Sequence, residues 1–175
     1  LVFAGDRSDE FERRLAGESY ESIARSGGGI ARTVEATRGA GAAELAASAL
    51  TRLDALAQEG VGTVEIKSGY GLTLDSERTM LRAARGVARA SGMRVSATLL
   101  AAHAVPPEFV GESGRYIDEI CIPLIREAAR EGLADAVDAY CEGIGFSPED
   151  TRPPFIAAKA APPPLKLHAV QLPDT

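Results

Sequence analysis

Residues 64–71 read Val64-Glu65-Ile66-Lys67-Ser68-Gly69-Tyr70-Gly71, an apolar, β-like run that ends in a polar cluster rich in glycine. Three further runs of this kind follow along the chain. They lead into Ala102-His103-Ala104, Cys141-Glu142-Gly143 and His168-Ala169-Val170-Gln171. Helix-like stretches separate the runs, which recur every ~30–40 residues, the period of βαβ units in a parallel sheet.

This alternation predicts an α/β fold, the front part of a (β/α)8 barrel. The segment Leu1-Val2-Phe3-Ala4 looks like the end of one more strand, so we expect roughly the first five strands. A closed barrel usually takes about 250 residues, and this chain has 175. We therefore expect one partial barrel domain over residues 1–175, truncated at both ends. Because barrel enzymes place their chemistry at the carboxyl ends of the strands, the polar clusters predict part of an active site.

The helices between the clusters are predicted from apolar spacing and from capping residues. We expect helices over residues 43–59 and 73–90, and a third over 113–130 that Pro123 kinks. Ser147 is a plausible N-cap because Pro148 follows it in the first turn. Pro153 and Pro154 should compromise the helix that Ser147 begins.

Composition excludes several classes of partner. The net charge is −6 and no run of Lys and Arg stands out, so nucleic acid is not expected as a partner. No apolar stretch approaches the ~20 residues that cross a bilayer, so no membrane association is expected. The cysteines, Cys121 and Cys141, make no disulfide framework and indicate a reduced, cytoplasmic protein.

The two histidines follow predicted strands, where side chains reach a barrel mouth. His168 is a candidate metal ligand, since neutral imidazole binds Zn and Fe, or else a hydrogen-bonded histidine at a strand end. His103 follows an apolar run and could serve as a ligand, a general base or a hydrogen-bond donor to a substrate. A histidine capped within the core is the alternative for His103.

Other polar residues at the predicted mouth have a functional and a plainer interpretation. Tyr70 lies between two glycines, which either present its ring or form a surface turn. Arg7 could hold a carboxylate with two parallel hydrogen bonds, or pair with Asp6 or Asp9 on the surface. Glu142 could act as an acid or base, or support one.

Two further features favour plain roles. Lys67 is interpreted as structural or as a substrate contact, because no second metal ligand lies near it in the sequence. Gly27-Gly28-Gly29 could cradle an anion, but a flexible turn is the favoured interpretation, since glycine readily supplies turn conformations.

Several ordered motifs closely resemble the imidazolonepropionases, a family of the metal-dependent amidohydrolase superfamily. The motifs are Leu1-Val2-Phe3-Ala4-Gly5-Asp6-Arg7-Ser8-Asp9-Glu10-Phe11, Ser26-Gly27-Gly28-Gly29-Ile30, Glu65-Ile66-Lys67-Ser68-Gly69-Tyr70-Gly71-Leu72, Ala102-His103-Ala104-Val105-Pro106-Pro107-Glu108 and Lys166-Leu167-His168-Ala169. The resemblance implies the (β/α)8 barrel of the metal-dependent hydrolases with one Zn or Fe ion. It implies hydrolysis of the ring amide of 4-imidazolone-5-propanoate to N-formimidoyl-L-glutamate in histidine degradation.

Carried over residue by residue, the resemblance makes His168 a metal ligand. It makes Arg7, Tyr70, His103 and Gln171 substrate-binding residues. Arg7 is expected to hold the propanoate carboxylate, while Tyr70 and His103 orient the imidazolone ring. The metal is expected to polarise the carbonyl or to lower the pKa of a bound water.

The chain also departs from the family pattern. The family's His-X-His metal pair would precede Leu1, and a further metal-binding Asp and His would follow Thr175. A catalytic metal needs about three protein ligands, so we expect this chain alone to hold the ion poorly and to be inactive. Val170 stands where the family usually carries an acidic residue, which removes a proton acceptor.

Two alternatives follow from these departures. One is a different cyclic-amide hydrolase or deaminase of the same superfamily. The other is a non-catalytic remnant or an assembly partner, which Val170 and the missing ligands favour. A homodimer of the protein is also among the expectations.

Overall fold

A computed structural model of the chain describes residues 1–142, 145–160 and 164–169. The α-helices found there are α1 (Ser8–Leu15), α2 (Tyr20–Arg25), α3 (Ile30–Gly39), α4 (Ala42–Gln58), α5 (Leu74–Ser91), α6 (Ser113–Tyr116), α7 (Ile122–Glu131) and α8 (Pro148–Lys159). The strands are β1 (Thr63–Lys67), β2 (Arg94–Ala102), β3 (Ala136–Cys141) and β4 (Leu165–Ala169). A 3₁₀ turn spans Pro107–Phe109, and a π-helical turn spans Ile117–Cys121.

The four strands form one sheet in the order β1-β2-β3-β4, and every pair is parallel. Val64 lies opposite Val95, and Tyr140 lies opposite His168. The register between β2 and β3 shifts between Leu99 and Ala102. The predicted parallel α/β architecture is confirmed, and the described residues of the polar clusters lie at one edge of the sheet.

The sheet curls strongly, as a barrel wall must. In a flat sheet, three strand spacings would separate β1 from β4 by roughly 14 Å. Yet Nζ of Lys166 on β4 lies 2.6 Å from Oε1 of Glu65 on β1. The side chain of Thr98 on β2 also donates to Glu65, at 2.6 Å. The concave face is therefore polar, and the curl is consistent with part of a (β/α) barrel.

The opposite face of the sheet is apolar and covered by helices. Ile66, Leu99 and Ala139 are buried on that face. Leu53 of α4 and Met80 of α5 pack in the same cluster as Ile66. Alternation of polar and apolar residues along each strand thus separates a helix-covered side from a side that can hold a site.

Local signals account for both boundaries of α5 and for the start of α8. Thr73 caps α5 by accepting a hydrogen bond from the Ser76 N–H at 3.2 Å, and Gly92 ends that helix in a left-handed conformation. Ser147 and Asp150 form a capping box at the start of α8. The predicted irregularity near Pro123 is present as the π-helical turn that precedes α7.

One prediction from local sequence is wrong and another is only partly tested. The helix α8 continues through Pro153 and Pro154 to Lys159, and each proline lacks the N–H of an i→i−4 hydrogen bond. The predicted fifth strand at the start of the chain is not among the strands of the described residues. There the carbonyls of Leu1 and Phe3 accept from Arg52 at 2.7 and 3.3 Å, so side-chain groups replace a strand ladder.

None of the helices in the described part of the chain combines the length and the apolar character required to cross a bilayer.

Candidate active site

Four aromatic side chains gather at the carboxyl edge of the sheet. The ring centroid of His103 lies 5.2 Å from that of Tyr70, 6.1 Å from that of Tyr140 and 6.3 Å from that of His168. Tyr140 and His168 stack at 4.9 Å, as their opposed positions on β3 and β4 allow. The structure therefore brings together three of the predicted site residues, Tyr70, His103 and His168.

The tautomer of His103 is set by its backbone partner. Its Nδ1 lies 2.8 Å from the carbonyl oxygen of Gly69, and a carbonyl can only accept. Nδ1 therefore carries the proton, and Nε2 of the neutral ring is left as an acceptor. Burial lowers the pKa of His103, against the opposing effect of the Gly69 hydrogen bond. The imidazole is accordingly neutral at pH 7.

Asp138 links two other residues on the concave face. Its buried carboxylate lies 2.5 Å from Nζ of Lys67 and 3.1 Å from Nδ1 of His168. Burial disfavours the charged carboxylate, but the hydrogen bonds from Lys67 and His168 outweigh burial and lower the pKa of Asp138. Lys67 is the partner of this buried carboxylate, which is consistent with the structural one of its two predicted roles.

His168 meets one requirement of a metal ligand. Because the ionised Asp138 accepts from Nδ1, Nε2 is free to bind a metal, as in carboxylate–histidine–metal arrangements. However, no three side chains of His, Cys, Asp or Glu within residues 1–142, 145–160 and 164–169 stand close enough to hold an ion. The described residues therefore fit one ligand and its supporting carboxylate, and do not form a coordination shell.

Arg7 lies beside the aromatic cluster, at the start of α1. It lines a cavity of about 550 Å³ together with Phe3, Arg52 and Tyr70. Its Nε donates to Glu10 at 2.8 Å, so its ion-pair partner is Glu10 and neither Asp6 nor Asp9. Arg7 and Tyr70 thus face one space, whose volume suits a small ligand.

The glycine run supports the same carboxylate. The N–H of Gly29 donates to Glu10 at 3.1 Å. A Cβ added at Gly28 would lie 2.8 Å from Oε1 of Glu10 and 2.8 Å from Cγ2 of Ile23. The predicted turn is present at residues 26–29. Within it Gly28 is packed closely, and Gly29 contributes a hydrogen bond to Glu10.

Some predicted residues are not part of the aromatic cluster, and others lie outside the residues that the structure describes. Gln171 and Val170 lie outside the described residues. Glu142 directly follows β3 and is half-buried, and its N–H donates to the Phe146 carbonyl at 3.2 Å. Cys141 is half-buried and Cys121 is buried, both as free thiols.

Sequence reasoning missed Asp138, Tyr140 and Glu77. Asp138 is the charged residue in an otherwise uncharged run over Ala136–Cys141, and that isolated charge was an available signal. Tyr140 lies two residues after Asp138 on the same face of β3, near the end of the strand. Glu77 gave no local signal, since an acidic residue in the first turn of a helix is ordinary.

The fold and the site together define a class of protein. A curled parallel sheet, with two histidines and two tyrosines at its carboxyl edge, is part of a (β/α) barrel with the surroundings of an active site. Comparison with curated proteins then gives the family.

The chain is 89% identical over all 175 residues to a protein of Maricaulis maris named imidazolonepropionase, and covers 44% of its length. It is 60% identical over 172 residues to an imidazolonepropionase of Rhizorhabdus wittichii, and 59% identical over 172 residues to one of a Caulobacter species. In both comparisons the match covers 98% of the chain and 43% of the length of the relative. No protein-family model matches the chain.

These identities confirm the resemblance drawn from the motifs. Over its whole length the chain is related in sequence to imidazolonepropionases. It spans less than half the length of the curated relatives it matches.

Proposed function

We propose that the chain forms part of an enzyme that hydrolyses the ring amide of 4-imidazolone-5-propanoate to N-formimidoyl-L-glutamate. The observation that carries the proposal is the 89% identity to a protein named imidazolonepropionase, which extends over every strand-end residue described above. The gathering of Tyr70, His103 and His168 at one sheet edge supports it.

Arg7 is the proposed partner of the propanoate carboxylate. Its Nε is engaged by Glu10, and a guanidinium has four further N–H donors in a planar fork that suits a carboxylate. The contact with Glu10 limits the rotation of the Arg7 side chain. Arg7 also lines the cavity into which Tyr70 projects, so a ligand there could contact both residues.

His103 and Tyr70 are the proposed contacts of the imidazolone ring. The neutral His103 ring offers Nε2 as an acceptor for a substrate N–H, because Nδ1 already donates to Gly69. The edge-to-face arrangement of Tyr70 against His103 restricts both rings. The two side chains would therefore orient a planar heterocycle rather than act as nucleophiles.

We further propose that the enzyme uses one Zn or Fe ion, with Nε2 of His168 as one ligand and Asp138 as the group that orients it. The other ligands would come from outside the described residues, since those residues contain no complete set. When bound, such an ion supplies a Lewis acid that activates water towards a carbonyl carbon.

The test uses the protein expressed from the whole reading frame that contains this chain. The loss of imidazolone absorbance is followed with the propanoate substrate and with an analogue that lacks the carboxylate. Arg7→Ala should raise KM for the propanoate substrate by about tenfold or more and leave KM for the analogue unchanged, because a charge-assisted fork is lost. Arg89→Ala, an exposed arginine on α5, is the matched control.

Two results would contradict the proposal. A metal-loaded protein that never consumes the imidazolone would exclude this activity and favour a different cyclic-amide substrate or a non-catalytic role. Equal effects of Arg7→Ala on KM for the propanoate substrate and for the analogue would exclude the contact between Arg7 and the carboxylate. They would not exclude the hydrolase activity.

A further inference from the structure

The carboxylate of Glu77 is fully buried beneath the loop that carries Tyr70. Its Oε1 accepts the N–H groups of Gly71 at 2.8 Å and Leu72 at 2.9 Å, and its Oε2 accepts that of Gly69 at 2.9 Å. The Ser68 hydroxyl, which accepts the Leu100 N–H at 3.1 Å, also lowers the pKa of Glu77, against the effect of burial. The loop over residues 68–72 therefore surrounds the Glu77 side chain and donates hydrogen bonds to it.

The donors around Glu77 are neutral. The ion pairs found in the described part of the chain do not include Glu77, so backbone N–H dipoles and one hydroxyl take the place of a cation. Burial raises the pKa of Glu77, and these hydrogen bonds oppose that effect. A buried carboxylate with this many donors is costly to disturb, because each donor would be left unsatisfied.

The loop needs such support because its backbone is constrained. Gly69 has φ +104°, and a Cβ there would lie 2.7 Å from the carbonyl oxygen of Leu100. Leu72 adopts φ +55°, which is uncommon for a residue other than glycine. A Cβ at Gly71 would lie 2.6 Å from the backbone nitrogen of Glu77. The constrained residues Gly69, Gly71 and Leu72 are the same three whose N–H groups bind Glu77.

Both candidate substrate contacts depend on this loop. Tyr70 lies between Gly69 and Gly71, whose N–H groups are bound to Glu77. The Gly69 carbonyl accepts the Nδ1 hydrogen of His103, and this sets the tautomer of that ring. A change in the loop would consequently alter the Tyr70 ring position and the His103 proton together.

We propose that Glu77 is a positioning residue, which holds the 68–72 loop so that Tyr70 and the Nδ1–H tautomer of His103 face the site. The role of Glu77 in holding the loop is inferred from the hydrogen bonds and distances given above. The effect on substrate binding rests in addition on the proposed function. Glu77 contacts neither of the rings in this role and acts through the loop.

The test compares Glu77→Gln with Asp75→Asn in the protein expressed from the whole reading frame. Gln offers one accepting oxygen and an NH₂ group that would meet the Gly69 N–H, donor against donor. Asp75 is an exposed acidic residue in the same first turn of α5, so its variant controls for loss of charge at the helix start.

Three readouts are taken. Hydrogen–deuterium exchange of the 68–72 peptide should quicken in Glu77→Gln and stay unchanged in Asp75→Asn. The ¹⁵N shifts of the His103 ring should move from the Nδ1–H form towards a mixture of tautomers. KM for the imidazolone substrate should rise about three- to tenfold, the effect of one lost hydrogen bond, with kcat within about twofold and metal content unchanged.

Each other outcome counts against the proposal. Unchanged exchange in the folded variant would show that Glu77 does not hold the loop. Faster exchange with an unaltered His103 tautomer and unaltered KM would reduce Glu77 to a role in stability. If the parent protein lacks imidazolone hydrolysis, the proposed function fails, while exchange and ring shifts still decide the role of Glu77.

A second variant covers the case in which Glu77→Gln fails to fold. Ser68→Ala removes the hydroxyl that lowers the pKa of Glu77, together with the acceptor of the Leu100 N–H, and leaves the three backbone donors to Glu77 in place. It should shift exchange and the His103 ring in the same direction by a smaller amount. No shift in a folded Ser68→Ala protein, beside an unfolded Glu77→Gln protein, would overturn the proposal.

Discussion

Lys67 and Asp138 form an ion pair across the strand that separates them, with Nζ of Lys67 2.5 Å from Oδ2 of Asp138. Lys67 ends β1 and Asp138 lies on β3, so the pair spans β2 on the concave face. The side chain of Asp138 is 1% exposed and that of Lys67 is 36% exposed. The carboxylate is thus desolvated, while the ammonium keeps part of its contact with water.

Asp138→Asn is expected to disturb both neighbours of the carboxylate. The amide cannot neutralise Lys67, and it competes poorly as an acceptor for Nδ1 of His168. For the proposed ion with His168 as a ligand, we expect metal affinity to fall about 10- to 100-fold, as for other changes to groups that orient ligating histidines. Stability should fall by about 1–3 kcal/mol, since Lys67 is partly solvated.

The Asp138 measurement is metal content after titration with a chelator, on protein from the whole reading frame, together with urea unfolding. Asp54→Asn, an exposed aspartate on α4, serves as the control. Retained metal affinity in Asp138→Asn would contradict the orienting role, whatever the effect on stability.

His103 predicts a specific dependence of stability on pH. Burial lowers the pKa of His103 in the folded protein, so the unfolded chain binds the proton more readily. The unfolding free energy should therefore fall as pH decreases from about 6.5, the ordinary histidine value. Above that pH the residue contributes no slope.

Urea unfolding of the parent protein and of His103→Gln between pH 5 and pH 7.5 checks this expectation. The variant should lose part of the slope below about pH 6.5 that the parent shows. Identical slopes in the two proteins would mean that His103 is not held neutral by its surroundings.

Gly28 should not tolerate a side chain. A Cβ at this position would press against Glu10 and Ile23 at 2.8 Å, so Gly28→Ala should destabilise by about 1–3 kcal/mol through overpacking. Gly39→Ala is the control, because Gly39 ends α3 and a Cβ there meets nothing within 4 Å. Thermal unfolding should separate the two variants, and equal melting temperatures would contradict the close packing.

Arg85 on α5 binds Asp135, which directly precedes β3 and contacts β2. Its Nη1 and Nη2 donate to the two oxygens of Asp135 at 2.9 and 2.8 Å, and Asp135 in turn accepts the Ala97 N–H at 2.8 Å. Arg85→Met should cost about 0.5–1 kcal/mol, with the difference shrinking as salt is added, because both partners are partly exposed. Denaturant unfolding at low and high salt tests this, with Arg89→Met as control.

Local sequence predicted the parts of the fold that depend on near neighbours. The apolar runs before Gly69 and His103 became parallel strands, and Thr73 and Gly92 bound α5, since capping and strand propensity act within a few residues. The placement of Tyr70, His103 and His168 at one edge also followed, because parallel strands share the direction of their ends.

By itself, then, the sequence determined the parallel α/β arrangement and the strand-end residues that could form a site. Tertiary structure alone decided which of them meet: Lys67 with Asp138, Glu65 with Lys166, and Glu77 with the loop of Gly69. The first two contacts depend on how far the sheet curls, and the third on how α5 packs beneath the loop. Those quantities arise from packing the whole chain at once, so no pattern of neighbouring residues encodes them.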